Sequence, residues 1–269
     1  MQAPPPEFHV YLNDLTGNDF NSVFRQLQQQ PPPESCRRRR LGAAWPGSFY
    51  GRIFPAESLD YVVSSSSLHF LSRAPADAGN EGRMYVSAGG PARVLEAYRA
   101  QFQRDIRLFL ACRAEEVRRG GLLLLTFVAR REAAPSVHDC LWDLLAAAVE
   151  SMDARGQLDS FDAPFYGPCP EELTEAIREE GSFRVRRMEL FEVSRQGQGG
   201  QGGRRQLAEQ TCSTIRAVVE PMLRAHLGWD AMAMDGLFSR YCLLLHDYYR
   251  QTHKLDQLTN VFLALDKIS

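Results

Sequence analysis

The chain has 269 residues, 44% apolar and 24% charged, enough to build a hydrophobic core for one large domain or for a core with an insertion. Its 31 cationic side chains nearly cancel 33 carboxylates, and a net charge of −2 gives no global attraction to nucleic acid or anionic lipid. The 6 cysteines are scattered without a CxxC pair or a secretory leader, and the longest apolar runs fall far short of the roughly 20 residues of a spanning helix. A soluble protein of a reducing, cytoplasmic setting is expected, with neither nucleic acid nor membrane as partner.

In chain order, residues 8–14 (FHVYLND) read as a buried strand opening into a loop, with a carboxylate at its end. Residues 18–29 place Phe20, Val23, Phe24 and Leu27 on one helical face behind Asn18 or Asp19 as N-cap. Three prolines at 31–33 and four arginines at 37–40 indicate an exposed loop, the basic run reading as solvated surface rather than a nuclear signal. A strand at 59–65 runs into four serines. Residues 94–117 form a long helix with Leu95, Tyr98, Phe102, Ile106, Phe109 and Leu110 as its buried stripe, ended by Gly120 and Gly121. Residues 122–129 (LLLLTFVA) follow, apolar on both faces like a central parallel strand. Helices are then expected at 137–152 and 171–180, and a strand at 183–193. The Gln/Gly tract 196–203 contains Gly197, Gly199 and Gly202 in G-x-G-x-x-G spacing but has linker composition. Helices at 206–227 and 235–249 and a closing strand at 258–265 complete an α/β sheet protein with helical material inserted between its late strands.

Several segments together carry a resemblance. LNDLTGNDFN at 12–21, PGSFYGR at 46–52, SSSSLHFLS at 64–72, Asn80-Glu81-Gly82, AYRAQFQRD at 97–105, residues 109–116 and 159–166, and RAVVEP at 216–221 occur in one order. In these blocks the chain resembles the plant SABATH carboxyl methyltransferases, which methylate salicylate, benzoate, jasmonate and related acids from S-adenosylmethionine. The resemblance implies a Rossmann-like methyltransferase core interrupted by an α-helical cap. Core is expected at 1–131, cap at 132–181, a core strand at 182–195, the linker at 196–204, cap again at 205–254, and a final core strand at 255–269. The family carries roughly a hundred further residues ahead of the matching part, including a first strand and its glycine turn. An internal start at Met1 or an incomplete gene model is therefore expected, with unpaired backbone edges on the strands that would flank the first one.

The same resemblance assigns residues to roles. Asp14 and Leu15 would contact the adenosine moiety, where a strand-end carboxylate suits sugar hydroxyls, although Asp14 could equally cap a helix or turn. Ser48 and Phe49 correspond to adenine contacts, with core packing as the other reading of Phe49. Ser65 falls on the cofactor side of the serine block, and Ser66, His69 and Phe70 on the acceptor side. The family usually carries Tyr and Trp where this chain has Ser66 and Phe70. Phe70 keeps an apolar wall but lacks an indole N–H, so a bound acid loses one hydrogen bond, about 1.5–3 kcal/mol for a charged partner. His69 could substitute as donor, or could be a satisfied core histidine. Trp142, Ile215, Val218 and Leu258 align with pocket positions and could equally be packing. Asn80, Asp159, Phe161 and Asp162 correspond to a site of hard oxygen ligands suited to Mg2+, or to an Asx-rich turn without metal.

A carboxylic acid with pKa about 4 is already ionised at neutral pH, so no catalytic acid or base is expected, and catalysis reduces to alignment in a dry pocket. The reading is thus an S-adenosylmethionine-dependent O-methyltransferase acting on a small carboxylic acid, with a homodimer as an open assembly. The alternatives are a non-catalytic truncated paralogue and an N-methyltransferase of xanthine-type acceptors.

Overall fold

The structure is a computed structural model and describes residues 7–29, 40–75, 79–87, 89–135, 140–152, 158, 160–194, 201–251 and 257–268. Elements run β1 (Phe8–Leu12), α1 (Phe20–Gln29), β2 (Arg40–Ala44), β3 (Leu59–Ser65), α2 (Ala92–Glu116), β4 (Val117–Val128) and α3 (Cys140–Glu150). They continue with α4 (Pro170–Glu180), β5 (Phe183–Ser194), α5 (Gln201–Leu227), α6 (Ala231–Gln251) and β6 (Gln257–Lys267). The glycines Gly197 and Gly199 of the G-x-G-x-x-G tract, three of the four arginines at 37–40, and Asp159 lie outside the described residues.

Two sheets form. β1 and β2 pair in parallel, Phe8 opposite Arg40 through Leu12 opposite Ala44. The second sheet has the order β3-β4-β6-β5, with β3 parallel to β4 and β6 antiparallel to both of its neighbours. Among the described residues, β1 and β3 therefore each keep one unpaired edge. Alternation along β4 puts Leu123, Leu125 and Phe127, each 0% exposed, into a core with the buried stripe of α2 and with Leu173, Ala176 and Ile177 of α4. On the opposite face Tyr61 lies beside Leu122 and Val63 beside Leu124, and these β3 side chains are 65% and 72% exposed. A second core joins α3, α5 and α6 through Leu145, Val149, Leu207, Val219, Leu223, Leu237 and Tyr241. Helix α4 is delimited by its own sequence. Pro170 sits in its first turn, the Glu172 carboxylate takes the Cys169 N–H at 3.1 Å, and Gly181 ends it at φ 82°.

Five expectations are corrected. The strand at 8–14 is present as β1, but Phe8 through Tyr11 are exposed: among the described residues its sheet has two strands, and the following helix α1 buries no residue. The supposed loop of prolines and arginines ends in a strand, β2. Gly120 and Gly121 do not terminate α2; the helix stops at Glu116 and the glycines lie inside β4. Gly120 has φ +78°, and a Cβ on Gly121 would come 2.8 Å from the Asp60 carbonyl oxygen, so the pair absorbs the register shift between Leu59 opposite Val117 and Tyr61 opposite Leu122. Finally, β4 is parallel to one neighbour only, and α5 begins at Gln201, within the expected linker. Among the described residues no helix is long and apolar enough to cross a membrane.

Candidate active site

The parallel pair β1 and β2 of one sheet, and β3, parallel to β4 in the other, end in the loops that carry the expected donor and acceptor residues, and strand ends are the usual address for ligands in α/β sheets. The first two tips are stitched together. Asn13 donates its amide to the carbonyls of Trp45 and Gly47 at 2.8 and 3.0 Å, and Gly47 N–H donates to the Asp14 carbonyl at 2.8 Å. Tyr11, Trp45 and Phe54 stack behind them with ring centroids 5.3–5.6 Å apart. Asp14 is exposed; one carboxylate oxygen accepts Leu15 N–H at 2.7 Å and the other the Asn18 amide at 2.8 Å. Each oxygen retains acceptor capacity, so the turn-capping role and the ribose-binding role are compatible. Leu15 is 60% exposed. Ser48 is exposed, whereas Phe49 is half-buried, 4.6 Å from the Tyr50 ring and edge-on to Phe109 at 6.2 Å, so part of its surface is already core.

The β3 tip turns sharply. Ser66 adopts φ +57°, unusual for a residue with a Cβ, and is held there by its N–H on the Thr126 carbonyl at 2.7 Å. Ser65 and Ser66 are exposed, and Thr126 donates to the Ser65 hydroxyl at 3.2 Å. His69 is 5% exposed, and desolvation lowers its pKa to about 4. Its Nδ1 accepts the Val128 N–H at 3.2 Å, which leaves the proton of the neutral ring on Nε2.

Around His69 the structure assembles a ring cluster. His69 lies 4.5 Å from Phe70 and 4.9 Å from Phe165; Phe165 is 5.5 Å from Tyr85 and 5.7 Å from Trp142; Tyr85 is 5.6 Å from Trp142. Phe70 pairs with Phe165 as an isolated β-bridge. Of the expected acceptor residues, His69, Phe70 and Trp142 are thus brought together, with Ser66 beside them in sequence. Ile215 packs in the second core, Val218 is 37% exposed on α5, and Leu258 stands at the start of β6. Phe165 and Tyr85 were missed, although Phe165 touches both cores. Its position inside the 159–166 block was the available signal, read only for the oxygen ligands of Asp159, Phe161 and Asp162.

Asn80 and Asp162 also meet. The Asn80 amide donates to the Asp162 carboxylate at 2.8 Å, Asn80 Oδ1 is buried with no hydrogen-bond partner, and desolvation raises the Asp162 pKa. Phe161 is buried in the same turn. An orphaned amide oxygen beside a carboxylate destabilised by burial fits a hard cation in donor chemistry. Among the described residues no group of three or more His, Cys, Asp or Glu is placed to hold a metal ion.

Comparison with known proteins decides the chemistry. A family profile described as SAM dependent carboxyl methyltransferase matches residues 1–268. The chain belongs to that family. A probable jasmonic acid carboxyl methyltransferase 2 of Theobroma cacao is 39% identical, covering 94% of this chain and 74% of the relative. The salicylate carboxymethyltransferase of Clarkia breweri is 38% identical, covering 97% and 74%. A solved loganic acid methyltransferase with SAH superposes with TM-score 0.84 at 28% identity, covering 98% of this chain and 75% of that one. The chain therefore spans about three quarters of the length of these relatives. It is an S-adenosylmethionine-dependent carboxyl methyltransferase by family, with the Rossmann-like methyltransferase fold.

Proposed function

We propose that this methyltransferase acts on the carboxylate of a small, mostly planar acid. In this reading the adenosyl group lies across the Asp14, Leu15, Ser48, Phe49 and Ser65 tips, and the acid lies against His69, Phe70 and Trp142 beside Ser66. The observation that carries it is the cluster of Phe70, Phe165, Tyr85 and Trp142 with a neutral histidine, His69, packed on Phe70 and Phe165. Phe70, Phe165 and Trp142 are only partly buried and would offer their rings to a flat apolar body, and the Nε2–H of His69 beside them would suit its charged oxygen. When bound, S-adenosylmethionine supplies an electrophilic methyl group. The residues of the chain orient and desolvate: Asp14 accepts hydroxyl protons of the sugar, Ser48 and Phe49 take the base, and His69 directs one carboxylate oxygen. No side chain need remove a proton, since the acid arrives ionised.

Ile215, Val218 and Leu258 would act only at the outer margin of such a pocket. Asn80 and Asp162, with Phe161 and Asp159, would hold a magnesium ion that braces the turn leading to Phe165, and titration with magnesium should raise the melting temperature of the chain but not of Asp162→Ala. The test of the acceptor is a screen of salicylate, benzoate, jasmonate and xanthine with labelled S-adenosylmethionine. Label in a methyl ester upholds the proposal, label on a xanthine nitrogen replaces it with an N-methyltransferase, and no transfer to any acceptor contradicts it.

A further inference from the structure

Residues 49–54 continue the donor tip at Ser48 and Phe49 outside any helix or strand, and a buried ion pair on α2 fixes them. Arg113 and Glu116 are 3% and 0% exposed. The guanidinium spends Nε and Nη2 on the Glu116 carboxylate at 2.7 and 2.9 Å, Nη1 on the Phe49 carbonyl at 2.9 Å, and Nη2 again on the Gly51 carbonyl at 2.9 Å. Glu116 in turn accepts the N–H groups of Ile53 at 2.6 Å and Phe54 at 3.0 Å. Both charges are thereby paired and hydrogen-bonded, the condition under which a buried pair is tolerated. The two carbonyls gripped by Arg113 flank one residue, Tyr50. Its ring packs against the main core, and its hydroxyl donates to the Phe70 carbonyl at 2.5 Å, 20 residues away in sequence.

We infer that Tyr50 is a positioning residue for methyl transfer, a strut that sets the acceptor segment at Phe70 against the donor loop, with the Arg113–Glu116 pair fixing that loop from beneath. This rests on the proposed division into donor and acceptor sides. Displacement of the methyl group is sensitive to ångström errors in alignment, and the Tyr50 hydroxyl on the Phe70 carbonyl ties one side to the other. The strut spends its hydroxyl on the Phe70 carbonyl and its ring on the core, so its loss should lower turnover more than binding.

The test uses the full 269-residue chain as wild type, Tyr50→Phe and Arg113→Lys. Hydrogen exchange is followed by mass spectrometry, S-adenosylhomocysteine binding by calorimetry, and initial rates with S-adenosylmethionine and salicylate. Tyr50→Phe should accelerate exchange about tenfold in residues 66–72 but not in 49–54, leave S-adenosylhomocysteine affinity within about twofold, and cut kcat about tenfold. Arg113→Lys should instead loosen 49–54 and weaken S-adenosylhomocysteine about tenfold. Exchange in 66–72 and kcat both at wild-type values in Tyr50→Phe would overturn the inference, as would acceleration spread evenly over the chain. Should the wild type bind no S-adenosylhomocysteine, the functional reading fails on that result alone. The exchange pattern then decides the coupling, acceleration confined to 66–72 upholding it and its absence overturning it.

Discussion

His69 shows how burial alone sets a chemical role. Enclosed by Phe70 and Phe165, it has its pKa lowered to about 4 by desolvation, and the Val128 N–H on Nδ1 leaves Nε2–H as the donor. The unfolded chain takes up a proton near the ordinary value of 6.5 that the folded chain refuses until about 4. The unfolded state thus binds more protons in that window. His69 contributes its full share of stability above pH 6.5, and roughly 3 kcal/mol is lost as pH falls toward 4. Urea unfolding at neutral and acidic pH should show this loss and show it removed in His69→Gln, whose amide can accept from Val128 and donate outward; equal acid sensitivity in both proteins would refute it. Phe70 offers the complementary experiment. It is half-buried, and Phe70→Trp adds an N–H beside the proposed carboxylate position, so the KM for an acid acceptor should fall about tenfold, as one charge-assisted hydrogen bond allows. An unchanged KM would place the acid elsewhere.

At the level of elements, the turn that carries Phe165 depends on a buried cluster beneath it. Arg130 donates to Tyr166 and Glu172, Tyr166 donates to Glu172 at 3.0 Å, and Glu172 also caps α4 through the Cys169 N–H. Arg130 and Glu172 are 4% and 2% exposed, so Glu172→Ala takes a carboxylate away from a buried guanidinium and from the Cys169 N–H at the start of α4. A loss of about 3–5 kcal/mol is expected in urea unfolding, against less than 1 kcal/mol for the exposed pair partner Glu175→Ala. Elements with a strong local period were legible in the sequence: the α2 stripe at Tyr98, Phe102, Ile106 and Phe109, the apolar run of β4, and the Pro170 and Gly181 boundaries of α4. β2 was not, because Arg-Leu-Gly-Ala-Ala carries neither β-branched residues nor alternation and is a strand only through pairing with β1. The glycine pair misled for a similar reason, since glycines that end a helix and glycines that form a bulge look alike until a neighbouring strand fixes the register. In the site, residues of the matching blocks were identifiable one by one, whereas the Phe165 hub and the Tyr50 strut depend on contacts across tens of residues that no spacing encodes.

For the whole molecule, the arrangement separates two tasks. The four-stranded sheet, packed on one face, carries the acceptor segment at the end of β3, the two-stranded sheet carries the donor tips, and a second core of α3, α5 and α6 is joined to the first by Trp142 and Phe165. The other face of the sheet presents Tyr61 and Val63 next to the unpaired edge of β3, a surface prone to self-association. Val63→Lys should therefore raise the soluble concentration of the 269-residue chain severalfold without shifting its melting temperature, as read by static light scattering; a variant that aggregates as readily would show that this face is not the cause. The central claim is that the tips at Asp14 and Ser48 hold the adenosyl group for transfer to a carboxylate. Calorimetric titration of the chain with S-adenosylmethionine tests it most directly: one molecule should bind per chain, at least about tenfold more weakly in Asp14→Ala, while a folded chain that gives no heat, or an Asp14→Ala variant that binds as tightly as the wild type, would contradict it.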